Sequence, residues 1–166
     1  MKYELVKTDT KQFLGKTLYR IRALVAIGSL VAPNNLGGYV ESEGNLSQFG
    51  DAWVFGNAQV SGDAQVSGNA QVYGNAWVSG NAQVSGDAWV IDQKTWLLIG
   101  PAKSSGRFTT AFADEKIGVR VVCGCFTGTV AEFSKQIEKT HTNNHEHLEQ
   151  YRLFCQLISF NFGIKE

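Results

Sequence analysis

From Gly50 to Ile91 the chain repeats every six residues. The units read Gly-Asp-Ala-Trp-Val-Phe, Gly-Asn-Ala-Gln-Val-Ser, Gly-Asp-Ala-Gln-Val-Ser and Gly-Asn-Ala-Gln-Val-Tyr. Then come Gly-Asn-Ala-Trp-Val-Ser, Gly-Asn-Ala-Gln-Val-Ser and Gly-Asp-Ala-Trp-Val-Ile, and a degenerate unit, Gly44 to Phe49, precedes them all. A period of six excludes an amphipathic helix, which needs apolar residues at i, i+3, i+4 and i+7. It suits a short strand followed by a tight corner. Ala and Val stand two apart, so they share one face of the strand, and the residues flanking Val point the other way. Gly with Asn or Asp supplies the corner, because these residues tolerate positive φ and bond locally to the backbone. Small Ala beside larger Val fits the narrow interior of a triangular prism, each face of which adds one strand per turn to a parallel sheet.

This Val-x-Gly-Asn/Asp-Ala-x pattern, over roughly residues 38–91, resembles the left-handed parallel β-helix or hexapeptide-repeat family. The resemblance implies three hexads per turn, rungs about 4.8 Å apart, a connection of the hand opposite to the usual crossover, and a homotrimer of parallel prisms. With three hexads per turn the outward side chains sort by face. One face carries Trp53, Phe55, Gln71, Tyr73, Trp89 and Ile91. A second carries Gln59, Ser61, Trp77 and Ser79, and the third only Gln and Ser. An aromatic stripe predicts burial against a symmetry mate or the C-terminal segment. The trimer interface is therefore expected at Trp53, Phe55, Tyr73, Trp89 and Ile91. The other reading is a stacking platform for a base or sugar. Asn and Asp should stack in ladders at the corners. A calcium site needs clustered carboxylates, and only Asp51, Asp63 and Asp87 are acidic there.

Residues 1–37 are expected to cap the open end of the prism. Thr17–Leu24 reads as a strand with Tyr19, Ile21 and Ala23 inward and Arg20 and Arg22 outward. Residues 92–166 read as a small α+β unit. Strands are predicted at Trp96–Gly100, Arg107–Phe112 and Ile117–Cys123. A helix opens at the capping box Thr129-Val130-Ala131-Glu132, and a second follows Asn143-Asn144. The segments Leu18–Leu24, Leu36–Glu41, Asn45-Leu46-Ser47, Gly124–Thr129, Glu132-Phe133, His141 and Tyr151 are together similar to a group of phage and prophage proteins without an assigned reaction. The fold class is mainly β: a left-handed parallel β-helix with an N-terminal cap and a small C-terminal α+β unit.

Charge and composition narrow the function. Fifteen basic residues balance fifteen acidic ones, which argues against a duplex nucleic-acid binder. No apolar run of about 18 residues exists, so no membrane helix is expected. Met1-Lys2-Tyr3-Glu4 leads into polar sequence, so no signal peptide is expected. Three Cys do not make a disulfide framework. The expected location is cytoplasmic, in a host cytosol.

Many hexapeptide-repeat proteins are acyltransferases with a His general base beside the coil. Gly44 to Ile91 contains no His, Lys or Arg, and a fold carries no function without its site. Zinc held by Cys123, Cys125, Cys155 and the three His lacks a second Cys pair of metal-knuckle spacing, so buried thiols and helix-end His are favoured and no metal or cofactor is expected. Cys125 and His141 could pair as nucleophile and base, or His141 could simply end its helix. Lys103-Ser104-Ser105-Gly106-Arg107 offers amides, hydroxyls and cations to a phosphate, against an ordinary solvated loop. Arg120 should leave the sheet face opposite Val119 and Val121, to join that basic surface or be solvated. The preferred function is a phage-type non-enzymatic binding protein, with counter-defence by sequestering a host nucleotide or blocking a host protein. The alternative is an acyltransferase of the hexapeptide-repeat type. The ligand set assigned is Lys103, Ser104, Ser105, Arg107 and Arg120 for the phosphate, with Trp77 for the base.

Overall fold

A computed structural model describes residues 1–164. The chain divides into two compact units, Met1–Gln93 and Lys94–Glu166. The first begins with a long hairpin, β1 (Tyr3–Phe13) and β2 (Lys16–Ala23), followed by β3 (Leu36–Val40). Seven two-residue strands follow, one per hexad: β4 (Trp53–Val54), β5 (Gln59–Val60), β6 (Gln65–Val66), β7 (Gln71–Val72), β8 (Trp77–Val78), β9 (Gln83–Val84) and β10 (Trp89–Val90).

Their pairing is parallel and skips eighteen residues each time. Trp53 lies beside Gln71 and Gln71 beside Trp89, Gln59 beside Trp77, and Gln65 beside Gln83. Three stacks of strands result, as a turn of three hexads requires. Every Ala and Val of the hexads from Ala52 to Val90 is buried. The corners fall at the hexad glycines. Gly68 shows why: its φ is +68°, and a Cβ there would stand 2.9 Å from the Gly86 backbone nitrogen on the next rung. Of the expected corner ladder, Asn69 Nδ2 donates to Asp87 Oδ1 across one rung (3.2 Å).

In this unit the strand N–H groups that bond between rungs donate to a carbonyl one turn later, as Trp53 does to Ala70 and Phe55 to Val72. Carbonyls of the first rung therefore need other donors. Lys2 Nζ donates to Gly50 and Ala52 oxygens (3.2 and 2.9 Å), and Asn45 Nδ2 to Gly62 and Ala64 (both 2.9 Å). Tyr39 N–H reaches Ala58. The Tyr3 hydroxyl donates to Leu46 O (2.7 Å) and lies 3.0 Å from Glu43 O. One sheet runs β1-β2-β3-β5-β8, so the hairpin continues a stack of the coil.

Three expectations need correction here. Strand β1 was not foreseen, because its Lys- and Thr-rich sequence is only half buried at an edge. In β2 the inward residues are Leu18, Ile21 and Ala23, with Tyr19 only partly buried, because an irregularity between Arg20 and Arg22 breaks the alternation. Trp53 cannot serve a subunit interface. It is 1% exposed, covered edge-on by Tyr3 at 6.1 Å, with Gly37 packed so closely that a Cβ would meet its ring at 2.8 Å.

The second unit is an antiparallel meander, β11 (Trp96–Ile99), β12 (Thr109–Asp114), β13 (Gly118–Cys123) and β14 (Phe126–Gly128), with α1 (Val130–Thr140) and α2 (His145–Phe162). Ala111, Val121 and Cys123 from the sheet pack with Phe133 and Ile137 of α1 and with Leu148, Tyr151 and Ile158 of α2. The capping box is complete: Thr129 Oγ1 accepts from Glu132 N–H while Glu132 accepts from Thr129 N–H (2.8 Å). Asn144 opens α2, accepting from His147 N–H (3.1 Å). Leu153 and Leu157 of α2 are exposed.

Candidate functional site

Within the second unit a cleft of about 230 Å³ opens between the loop before β12, the β13–β14 turn, the C-terminal part of α1 and Tyr151 of α2. Arg107, Cys123, Cys125, Phe126, Phe133, Gln136, Ile137, Thr140, His141 and Tyr151 line it. Helical spacing brings the α1 residues together, since Phe133, Ile137 and His141 succeed one another at i+4, as do Gln136 and Thr140.

Tyr151 is the hub. It is 4% exposed, and its ring stacks under His141 (5.2 Å, 16°) and meets Phe133 edge-on at 5.9 Å. Its hydroxyl lies 3.2 Å from Ser105 Oγ and 3.4 Å from Ser104 Oγ. The His141 imidazole is thus held flat against an aromatic ring, while its backbone N–H ends α1 on Ile137 O (2.9 Å).

The loop turns tightly on itself. Gly106 N–H donates to Ala102 O (2.7 Å), Ala102 N–H to Arg107 O (2.8 Å) and Arg107 N–H to Ser105 Oγ (3.2 Å). Most amide donors read as a phosphate cradle are therefore spent inside the loop. Lys103 is spent too: its ammonium pairs with Glu146 at 2.7 Å on an exposed surface, a contact that holds the Lys103 pKa up and the Glu146 pKa down. Arg107 differs. Its guanidinium makes no hydrogen bond or ion pair among the described residues. It lies across Gly124, where a Cβ would stand 3.0 Å from Cδ and Nη1.

Arg120 is a correction. It neither joins Arg107 nor dangles in solvent. Its Nε donates to Asp114 Oδ2 at 2.6 Å, with the Asp114 side chain fully buried and that of Arg120 17% exposed. Asp114 Oδ1 also accepts from Lys116 and Ile117 N–H (3.0 and 3.1 Å), which closes the β12–β13 turn. Burial opposes ionisation of this carboxyl, but the Arg120 hydrogen bond and the two backbone donors outweigh it and hold the pKa below its usual value. Strand alternation puts Arg120 on the sheet face away from Val121 and Cys123, and so away from the cleft.

Trp77 belongs to the first unit and is already engaged. Phe13 meets its ring edge-on at 4.7 Å, and its Nε1 donates to Ser61 Oγ (3.3 Å). The structure thus joins Arg107 to Cys125 and His141, two candidates that the sequence presented separately, with Ser104 and Ser105 at the Tyr151 hydroxyl behind them. Gln136, Phe126 and Phe133 were missed as cleft residues; the helical spacing of α1 was the available signal for two of them. Burial pushes the Cys155 thiol up to about 11, which makes it a poor nucleophile at neutral pH. Among the described residues no group of three or more His, Cys, Asp or Glu is placed to hold a metal. No helix of the described residues is long and apolar enough to cross a membrane.

A protein-family model described as a YdcK β-solenoid repeat matches residues 64–80 and 70–86. The chain carries a β-solenoid repeat. The match falls on the hexads whose Ala and Val fill the coil, and it does not extend to the second unit. No curated protein matches the chain.

Proposed function

We propose that the chain is a non-enzymatic binding protein that takes a small anionic ligand with a planar ring, a nucleotide being the leading class, in the cleft of its C-terminal unit. The observation that carries this reading is the unpaired Arg107 guanidinium at the rim of a cleft walled by Phe126, Phe133, Tyr151 and the stacked His141. A guanidinium presents paired donors to phosphate or carboxylate, and aromatic walls accept a planar base. At about 230 Å³ the cleft is below the range of drug-sized sites, which favours one ring and one anionic group per chain.

The resemblance to phage proteins supports counter-defence by sequestration of a host nucleotide, and the hexapeptide resemblance supports a left-handed coil assembled as a homotrimer. Tyr73 stacks on Phe55 (4.3 Å, 9°), and Trp89 and Ile91 are 49% and 44% exposed, so Tyr73, Trp89 and Ile91 remain the proposed contact stripe, without Trp53 and without Phe55, which lines the cleft beside it. Calorimetry against a panel of linear and cyclic nucleotides tests the binding reading. Arg107→Ala should weaken binding about tenfold, the lower end for a charged hydrogen bond of about 1.5 kcal/mol at an exposed site, with unchanged melting. Failure of every nucleotide to bind, or binding indifferent to Arg107→Ala, overturns it. Turnover of an acyl donor would establish the acyltransferase instead.

A further inference from the structure

The first unit holds a second, chemically different cleft. It has a volume of about 200 Å³ and lies where the loop Ile27–Val31 leans over one corner of the coil, against Asp51, Phe55, Asn69 and Gln71. The loop is a closed structure. Ile27 and Val31 exchange backbone hydrogen bonds (2.9 and 3.3 Å). Gly28, at φ +53°, lies beside Asp51, where a Cβ would make an ordinary contact 3.5 Å from Oδ2.

The polar groups here are partly committed, and what is left over defines a ligand. The Asp51 carboxylate accepts no hydrogen bond among the described residues. Lys2, which feels the Asp51 charge, directs its ammonium at the Gly50 and Ala52 carbonyls and does not line the cleft. Asn69 spends its Nδ2 on Asp87, which leaves Oδ1 to accept. Gln71 takes the Tyr73 hydroxyl on Oε1, which leaves Nε2 to donate. Ser29 adds a hydroxyl, and Phe55 adds an aromatic ring fixed by its stack on Tyr73. The cleft therefore offers a strong acceptor, a second acceptor, a donor and an apolar ring, with no cation on its walls.

An anion finds no positive partner there and is repelled by Asp51. A purely apolar ligand would strand the carboxylate and both amides. A neutral polyhydroxylated ring satisfies all of them. Adjacent hydroxyls donate to the Asp51 carboxylate and the Asn69 carbonyl and accept from the Gln71 amide, while the C–H face of the ring lies on Phe55. We propose that this corner is a saccharide-binding site, independent of the Arg107 cleft. The corner recurs at each rung, Asp51 then Asn69 then Asp87, about 4.8 Å apart. That spacing suits a chain of sugars as well as a single one.

Saturation-transfer NMR with glucose, galactose, N-acetylglucosamine and their linear trisaccharides tests the proposal on the whole chain. At least one sugar should receive saturation on its ring protons. Asp51→Asn should weaken that sugar tenfold or more, Gln71→Ala should weaken it measurably, and Arg107→Ala should leave it unchanged. Asp51 is exposed, so its variant should melt as the parent does; Gln71→Ala reports on the same cleft by an independent group. A trisaccharide that binds more tightly than its monosaccharide identifies a glycan as the ligand, and equal affinities identify a free sugar. No saturation with any of them, or affinity indifferent to both Asp51→Asn and Gln71→Ala, overturns the proposal. So does inorganic phosphate that binds at the Asp51 corner.

Discussion

Replacing Arg120 by Ala should damage the second unit far more than replacing Arg107, although both are cations close to one another in sequence. Arg120 faces a carboxylate whose side chain is fully buried, at 2.6 Å. Taking one partner from a buried pair leaves an uncompensated charge, at about 3–5 kcal/mol. Asp114 keeps the Lys116 and Ile117 N–H groups after the change, so the lower figure applies, about 3 kcal/mol. For a unit of this size each kcal/mol lowers the melting temperature by about 4–8 °C, so the drop should be about 12–24 °C. Thermal unfolding followed by circular dichroism of Arg120→Ala, Arg107→Ala, and Arg120→Ala with Asp114→Asn measures it. The double variant should regain part of the loss, because the stranded charge is gone. A shift of less than about 4 °C in Arg120→Ala, equivalent to under 1 kcal/mol, would refute the buried-pair reasoning. The pair also has an acid signature. Asp114 is held ionised below its usual pKa, so its contribution is present above that pKa in the unfolded chain and is lost as pH falls through the folded value.

Val72 is fully buried at the middle of its stack, so Val72→Asp should cost at least about 3 kcal/mol, and a variant that is soluble and melts normally would put the register in error. Trp53→Ser should destabilise the chain by about 3–5 kcal/mol through a core cavity without changing its oligomeric state. Trp89→Ser should weaken assembly in light scattering with little effect on melting. Alkaline titration separates three groups. Burial lowers Lys2 from 10.5 to about 8, against the pull of Asp51, and raises Cys155 from 9.0 to about 11 and Tyr3 from 10.0 to about 12, the last with help from Glu43. The Lys2 contribution is present above the unfolded pKa and lost as pH falls through the folded one; those of Cys155 and Tyr3 are present below their unfolded pKa values and lost as pH rises. Denaturant midpoints of the first unit should therefore rise from about pH 8 towards 10 and fall above it, with the rise absent in Lys2→Met.

The coil was legible because its information is local. A corner glycine, a small residue and a Val two positions on decide the conformation of each hexad, and repetition carries the decision along the stack. The buried Ala and Val and the capping box at Thr129 followed from spacing, and strand pairing eighteen residues apart was what the resemblance to hexapeptide repeats implied. What was not legible depends on residues far apart in the chain. Trp53 has the same place in its hexad as Trp89, yet Tyr3 and Gly37 cover only the first. Nothing in the hexad distinguishes them. Arg120 was placed on the correct sheet face by alternation, but Asp114 was not recognised as its partner, because a carboxylate six residues away is ordinary until the hairpin turn brings it back. Arg107, Cys125 and His141 meet only because α1 and the loop before β12 reach the same end of the sheet.

The two proposed sites also divide the chemistry between the units in a way composition explains. The coil has no Lys or Arg from Gly44 to Ile91, so an anion bound on its own rungs would have only dipoles to meet it. Its outward groups are carboxamides, hydroxyls, a few carboxylates and rings, which recognise neutral polar matter. The second unit holds the unpaired guanidinium. Its cleft opens at the edge of the core, where Phe133, Ile137 and Tyr151 meet the exposed Arg107 and Cys125. Arg107→Ala and Asp51→Asn therefore make a crossed test. Each should weaken one binding event about tenfold or more and spare the other, because one event depends on a cation and the other on an acceptor. Weakening of both events by either variant alone would refute the reading of two independent sites.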